Sequence, residues 1–128
     1  RSGRLYPIGS ISRSGALVVG GSDWSVSSLV PLEAVQVAVT RRALNAGAGP
    51  AWLPDERIGL QAALEAYTIN GAYLSGREAE AGSIETGKSA DLVVLDRDIR
   101  SGPPSKIHEA RVLLTLLEGK PVYQISNW

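Results

Sequence analysis

Residues 16–23 read Ala16-Leu17-Val18-Val19-Gly20-Gly21-Ser22-Asp23, a short apolar run closed by two glycines and a polar pair. A run of this kind is what a strand buried on both faces of a parallel sheet looks like, because such a strand has no solvent side to make polar. Asp23 then falls at the C-terminal end of the predicted strand, which spans residues 16–21. A polar loop follows, and Pro31 suits the first turn of a helix, where its missing N–H is not needed. Leu32, Val35, Val39, Ala43 and Ala46 share one face of that helix, and Gly47 supplies its stop. The spacing therefore predicts a strand, a loop and a helix ending at Ala46.

On either side the chain changes character. Leu5, Ile8 and Ile11 at helical spacing predict a short helix within residues 5–14, with Gly15 as the left-handed residue that ends it. Residues 45–54 are rich in Gly, Ala and Pro and read as a connector. Leu60, Ala63, Leu64, Tyr67 and Thr68 follow the i, i+3, i+4, i+7, i+8 pattern, predicting a helix that runs toward Asn70-Gly71 with a further turn to Leu74. From Gly82 to Lys88 the residues are those of turns, and Leu92-Val93-Val94-Leu95 favours a strand. Ser101-Gly102-Pro103-Pro104 marks a loop, after which residues 111–117 and 121–125 flank Glu118-Gly119-Lys120 as a hairpin. The helical and β halves divide between Gly76 and Gly82, giving regions 1–80 and 81–128, and no internal repeat links them.

Composition narrows the function classes. The 128 residues suffice for one small domain, with 44% hydrophobic residues. The 13 basic side chains balance 13 acidic ones, so no net field attracts nucleic acid or an anionic membrane. No apolar run approaches the roughly 20 residues of a membrane span, and the N-terminal residues lack the apolar stretch of a signal peptide, so a cytoplasmic location is expected. Without Cys there are no disulfides, thiolate zinc sites or cysteine nucleophiles. The sequence has no Met and begins at Arg1, which predicts an internal start and hence a piece of a longer protein.

Three segments in order resemble the amidohydrolase superfamily, especially its N-substituted formamide deformylase-like branch. The first is Gly21-Ser22-Asp23-Trp24-Ser25-Val26 with Pro31-Leu32-Glu33-Ala34-Val35 and Ala38-Val39-Thr40-Arg41 behind it. The second is Ala66-Tyr67-Thr68-Ile69-Asn70-Gly71-Ala72. The third runs Gly82-Ser83-Ile84-Glu85-Thr86-Gly87-Lys88-Ser89-Ala90-Asp91-Leu92-Val93-Val94-Leu95-Asp96. The resemblance implies an α/β architecture: the last strand and following helices of a (β/α)8 barrel, then the C-terminal strands of a small composite β-sandwich. It implies a metal-dependent hydrolase that cleaves amide or formamide-like C–N bonds of small molecules, using one or two divalent ions, with Zn2+ the expected metal. A deaminase of the same superfamily shares these motifs. The earlier barrel strands and their metal-binding histidines are absent, so the piece is expected to be inert alone and to need the missing N-terminal region or self-association.

Reactive groups of a (β/α)8 barrel gather at the C-terminal ends of its strands, where Asp23 falls. By the resemblance, Asp23 is both a metal ligand and the catalytic carboxylate that handles the proton of the attacking water. Taken alone, Asp23 reads rather as a carboxylate accepting backbone N–H bonds in its loop or at the next helix start, in a non-catalytic binding or structural module. Trp24 is expected to be ordinary apolar packing. His108, the lone histidine, carries no functional assignment, since one His and one Asp do not make a hydrolytic metal site. Arg41 and Arg42 either reach an anionic substrate group or favour the negative C-terminal end of their helix. Asp91 is expected to fix a turn through side-chain to backbone bonds.

Overall fold

The computed structural model describes residues 5–44 and 49–126. Helix α1 (Ile8–Arg13) ends with Gly15 at φ +86°, as its sequence predicts. Helix α2 (Pro31–Thr40) has Pro31 in its first turn, but it stops well before Ala46. Arg41 takes the left-handed conformation at φ 54° and its N–H closes on the Val37 carbonyl at 2.7 Å. A left-handed residue ends a helix whatever apolar spacing continues beyond it, so Ala43 lies past the helix. Ala46 and Gly47 fall outside the described residues.

A 3-10 turn (Pro54–Glu56) leads to α3 (Leu60–Ala66) and α4 (Ile69–Leu74), where one continuous helical pattern is broken at Tyr67-Thr68. Three strands follow: β1 (Leu92–Leu95), β2 (Val112–Leu117) and β3 (Lys120–Gln124). They form an antiparallel sheet in the order β1-β2-β3, with Val94 opposite Leu114 and Thr115 opposite Tyr123. Glu118 and Gly119 both have positive φ, at 51° and 76°, which is the backbone of a two-residue hairpin turn matched to strand twist. Pro121 sits on the edge strand where the register shifts between Thr115 and Leu116, so its missing N–H interrupts no regular ladder. Between β1 and β2 a 3-10 helix (Pro104–Glu109) occupies sequence that reads as loop and strand entry.

The expected order of helices before strands holds, with the strands in one small antiparallel sheet. The expected strand over residues 16–21 does not form a ladder among the described residues. A strand buried on both faces needs neighbours on both edges, and here Leu17 and Val19 are exposed instead. The core is small and lies between α2, α3 and the second 3-10 helix. Val35 and Ile107 are each 1% exposed, and Ile58 and Ala63 complete the buried cluster. Ile8, Leu32, Leu60 and Tyr67 pack around it. The sheet is half-buried on β2 and exposed along β3, where Val122 is 60% accessible.

Candidate active site

Two long-range hydrogen bonds seat the segment that leads to Asp23. The Gly20 N–H donates to the Ala66 carbonyl at 2.9 Å, and Asn70 Nδ2 donates to the Val18 carbonyl at 3.0 Å. Gly20 also lies against the face of Tyr67, where a Cβ would come within 2.7 Å of ring atom Cδ2, so the approach requires glycine. Burial raises the Tyr67 phenol above its ordinary pKa.

Beyond Gly21 the chain turns into a closed loop. Asp23 adopts φ 50°, a left-handed conformation that Asp tolerates better than most side chains. Its carbonyl accepts the Val26 N–H at 2.8 Å, while the Ser22 carbonyl accepts the Ser27 hydroxyl. The backbone N–H before α2 is taken by Ser28 Oγ at 3.1 Å, and no side chain caps that helix. The Asp23 carboxylate is exposed and has no hydrogen-bond or ion-pair partner among the described residues. The backbone-capping role that its loop position allows is therefore not realised, and the acceptor is left available to another group.

Asp23 does not complete a metal centre with the rest of the chain. Among the described residues no group of three or more His, Cys, Asp or Glu side chains is placed to hold an ion, and a hydrolytic metal takes about three protein ligands. Asp23 supplies one carboxylate and lines neither of two cavities found among the described residues. The larger, of about 410 Å³, lies between α2 and the second 3-10 helix, lined among others by Gln36, Arg42, Lys106, His108 and Glu109. The described residues of this chain do not by themselves fit a divalent ion.

The remaining candidates have other work. Trp24 is 65% exposed and is not core packing among the described residues. Arg41 is buried, its guanidinium 4.9 Å from the centre of the Trp52 ring and its Nε donating to the Trp52 carbonyl at 3.3 Å. The Trp52 N–H returns a bond to the Arg41 carbonyl at 2.7 Å, so this pair fastens the end of α2 to the far part of the connector. Arg42 follows the helix rather than ending it. Asp91 behaves as expected: its Oδ1 accepts the Glu118 N–H at 2.8 Å and bridges the hairpin turn to the start of β1. That bond leads the contacts that hold its carboxyl below the ordinary carboxylate pKa.

Sequence reasoning gave no role to Gln36, Asn70 or Trp52. Gln36 is 3% exposed and binds His108 across the core. Its one visible signal was a polar side chain set between Val35 and Val37. Asn70 lies in a segment quoted for its resemblance, but only the folded chain shows which carbonyl it meets. Trp52 is paired to Arg41 by a contact that no spacing rule anticipates.

Comparison with known proteins places these features in a family. A profile described as the amidohydrolase family matches residues 1–123. The N-substituted formamide deformylase of Arthrobacter pascens is 39% identical over 121 residues, covering 94% of this chain and 22% of that protein. The LONG AFTER FAR-RED 3 protein of Arabidopsis thaliana is 36% identical over 118 residues, covering 92% of this chain and 20% of that protein. A crystal structure of an amidohydrolase from Thermotoga maritima MSB8 superposes with a TM-score of 0.55 at 30% identity, over 92% of this chain and 26% of that one. The chain thus spans about a fifth of the length of the curated relatives it matches. With a profile covering almost every residue and a structural likeness to match, the chain belongs to the amidohydrolase family.

Proposed function

We propose that this chain is the C-terminal part of a metal-dependent amidohydrolase that hydrolyses amide or formamide-like C–N bonds of small molecules, with Asp23 as its catalytic carboxylate. The observation that carries the reading is the Asp23 side chain itself: exposed, unpartnered among the described residues, and held in a closed loop after an apolar run. Hydrolysis of such a bond needs a base that takes a proton from the attacking water and an acid that returns one to the leaving nitrogen. A single carboxylate facing both can serve in turn. The N-substituted formamide deformylase among the relatives supports a formamide-like substrate.

Asp23 also serves in this reading as one ligand of a divalent ion, with Zn2+ proposed, and the other ligands come from outside this chain. The chain alone is accordingly inert and requires the remainder of such a protein, or self-association, to cover its open faces. Neither nucleic acid nor membrane is a partner in this reading, and a cytoplasmic location goes with it. No helix among the described residues is long and apolar enough to cross a membrane.

The test is made on the full protein, with metal content measured and a panel of N-substituted formamides and simple amides as substrates. Asp23→Asn is expected to lower turnover by about 10²-fold or more, the usual worth of a positioned acid–base group. Wild-type turnover in that variant would remove Asp23 from the mechanism.

A further inference from the structure

We propose that Asn70 is a positioning residue for Asp23: its side-chain amide holds the Val18 carbonyl and so sets the run that presents the carboxylate. The inference rests on Asp23 being the catalytic group proposed above. Residues 16–22 have no ladder partner, and two long-range hydrogen bonds tie them to the rest of the described residues. Both land on the corner between α3 and α4.

The corner is made for this by its break. In an unbroken helix the Ala66 carbonyl would accept the N–H of Asn70, four residues on. The interruption at Tyr67-Thr68 leaves that carbonyl to Gly20 at 2.9 Å. Asn70, in the first turn of α4, then reaches the Val18 carbonyl at 3.0 Å. Val18 C=O and Gly20 N–H lie on the same side of an extended chain, so the corner engages the edge that a neighbouring strand would otherwise occupy. The Tyr67 ring lies close against Gly20.

Only an amide of this length serves. A carboxylate at position 70 would set an acceptor against the Val18 carbonyl, and an alkyl group would leave that half-buried carbonyl unpaired. From the anchored Gly20 the chain has only Gly21 before the loop closed by the Ser27 hydroxyl on the Ser22 carbonyl. A shift of Val18 is therefore transmitted to Asp23 over a short path.

The test uses the full protein, with the isosteric Asn70→Asp and the truncating Asn70→Ala each made in wild-type and Asp23→Asn backgrounds. Rates on N-substituted formamides are referred to the folded fraction measured by circular dichroism. Misplacement of the reacting group predicts kcat lower by roughly tenfold to a hundredfold with KM within twofold. It also predicts no further loss when Asp23 is already Asn, because the two residues act through one step. Unchanged kcat in both Asn70 variants, or an equal loss in both backgrounds, overturns the inference. If Asp23→Asn abolishes turnover while the Asn70 variants keep it, positioning alone fails. If Asp23→Asn keeps turnover, the function proposed above fails and this inference with it.

Discussion

Gln36 and His108 share one oxygen across the core: Gln36 Oε1 accepts the His108 backbone N–H at 3.1 Å and lies 2.7 Å from His108 Nδ1. A backbone N–H only donates, so it fixes which end of the Gln36 amide faces the histidine. Nδ1 must then carry a proton, which leaves Nε2 as the lone-pair nitrogen of the neutral ring. Nitrogen chemical shifts of the neutral His108 ring should report the Nδ1–H tautomer. Gln36→Leu preserves bulk but strips both donors of their acceptor, and is expected to destabilise the chain by about 1–3 kcal/mol in denaturant titration. A stability equal to wild type would show that the pair carries no weight.

Stability should fall with acid through the sheet's approach. Asp96 accepts hydrogen bonds from Arg97 Nε at 3.1 Å, the Arg111 N–H at 2.9 Å and Arg111 Nε at 3.1 Å, which hold its carboxyl well below the usual carboxylate range. A folded-state pKa lowered below the unfolded value of about 3.9 stabilises the chain above that pH, and the stabilisation is lost as pH falls further. Asp98, held low chiefly by Ser101, and Glu56, held low chiefly by Ser10, act with the same sign. Asp96→Asn is expected to melt below wild type at pH 7, with the gap narrowing below about pH 4. A gap independent of pH would contradict the ion-pair origin.

Gly20→Ala places a methyl against the Tyr67 ring. Because the ring belongs to the group of side chains around the core, it cannot swing away freely. Overpacking of this kind costs about 1–3 kcal/mol. The thermal midpoint should drop accordingly, and a Tyr67→Ala partner substitution should recover part of the Gly20→Ala loss. Additive losses in the double variant would locate the strain elsewhere.

The isolated chain should self-associate. Leu17, Val26, Leu29, Val93, Val122 and Tyr123 are all exposed, and β3 is an edge of the sheet with every residue open to solvent. Exposed apolar surface and an unpaired edge both favour association. Light scattering is expected to show a mass above 13.5 kDa that grows with concentration. A monomer at millimolar concentration would argue that these faces are tolerated in water.

What the sequence made legible was local. Pro31 marks the start of α2, Gly119 marks the hairpin turn, although Lys120 belongs to β3 and not to the turn, and Leu92-Val93-Val94-Leu95 marks β1, because each is set by backbone geometry within a few residues. The end of α2 was hidden because Arg41, not glycine, takes the left-handed position, while Ala43 continued the apolar spacing. The break at Tyr67-Thr68 was hidden for the same reason, the face from Leu60 onward being unbroken in sequence. Residues 16–21 read as a buried strand because their composition suits one, but a ladder depends on neighbours that composition does not supply. At the candidate site Asp23 was singled out through the resemblance alone. The freedom of its carboxylate and the hold of Asn70 on Val18 emerge only when segments 52 residues apart are brought together.

Ile107 is among the most deeply buried side chains, yet it comes from a short 3-10 helix that follows the first strand. The helical half therefore cannot complete its interior from its own sequence, because the cluster that α2 and α3 close on takes one of its four buried side chains from beyond β1.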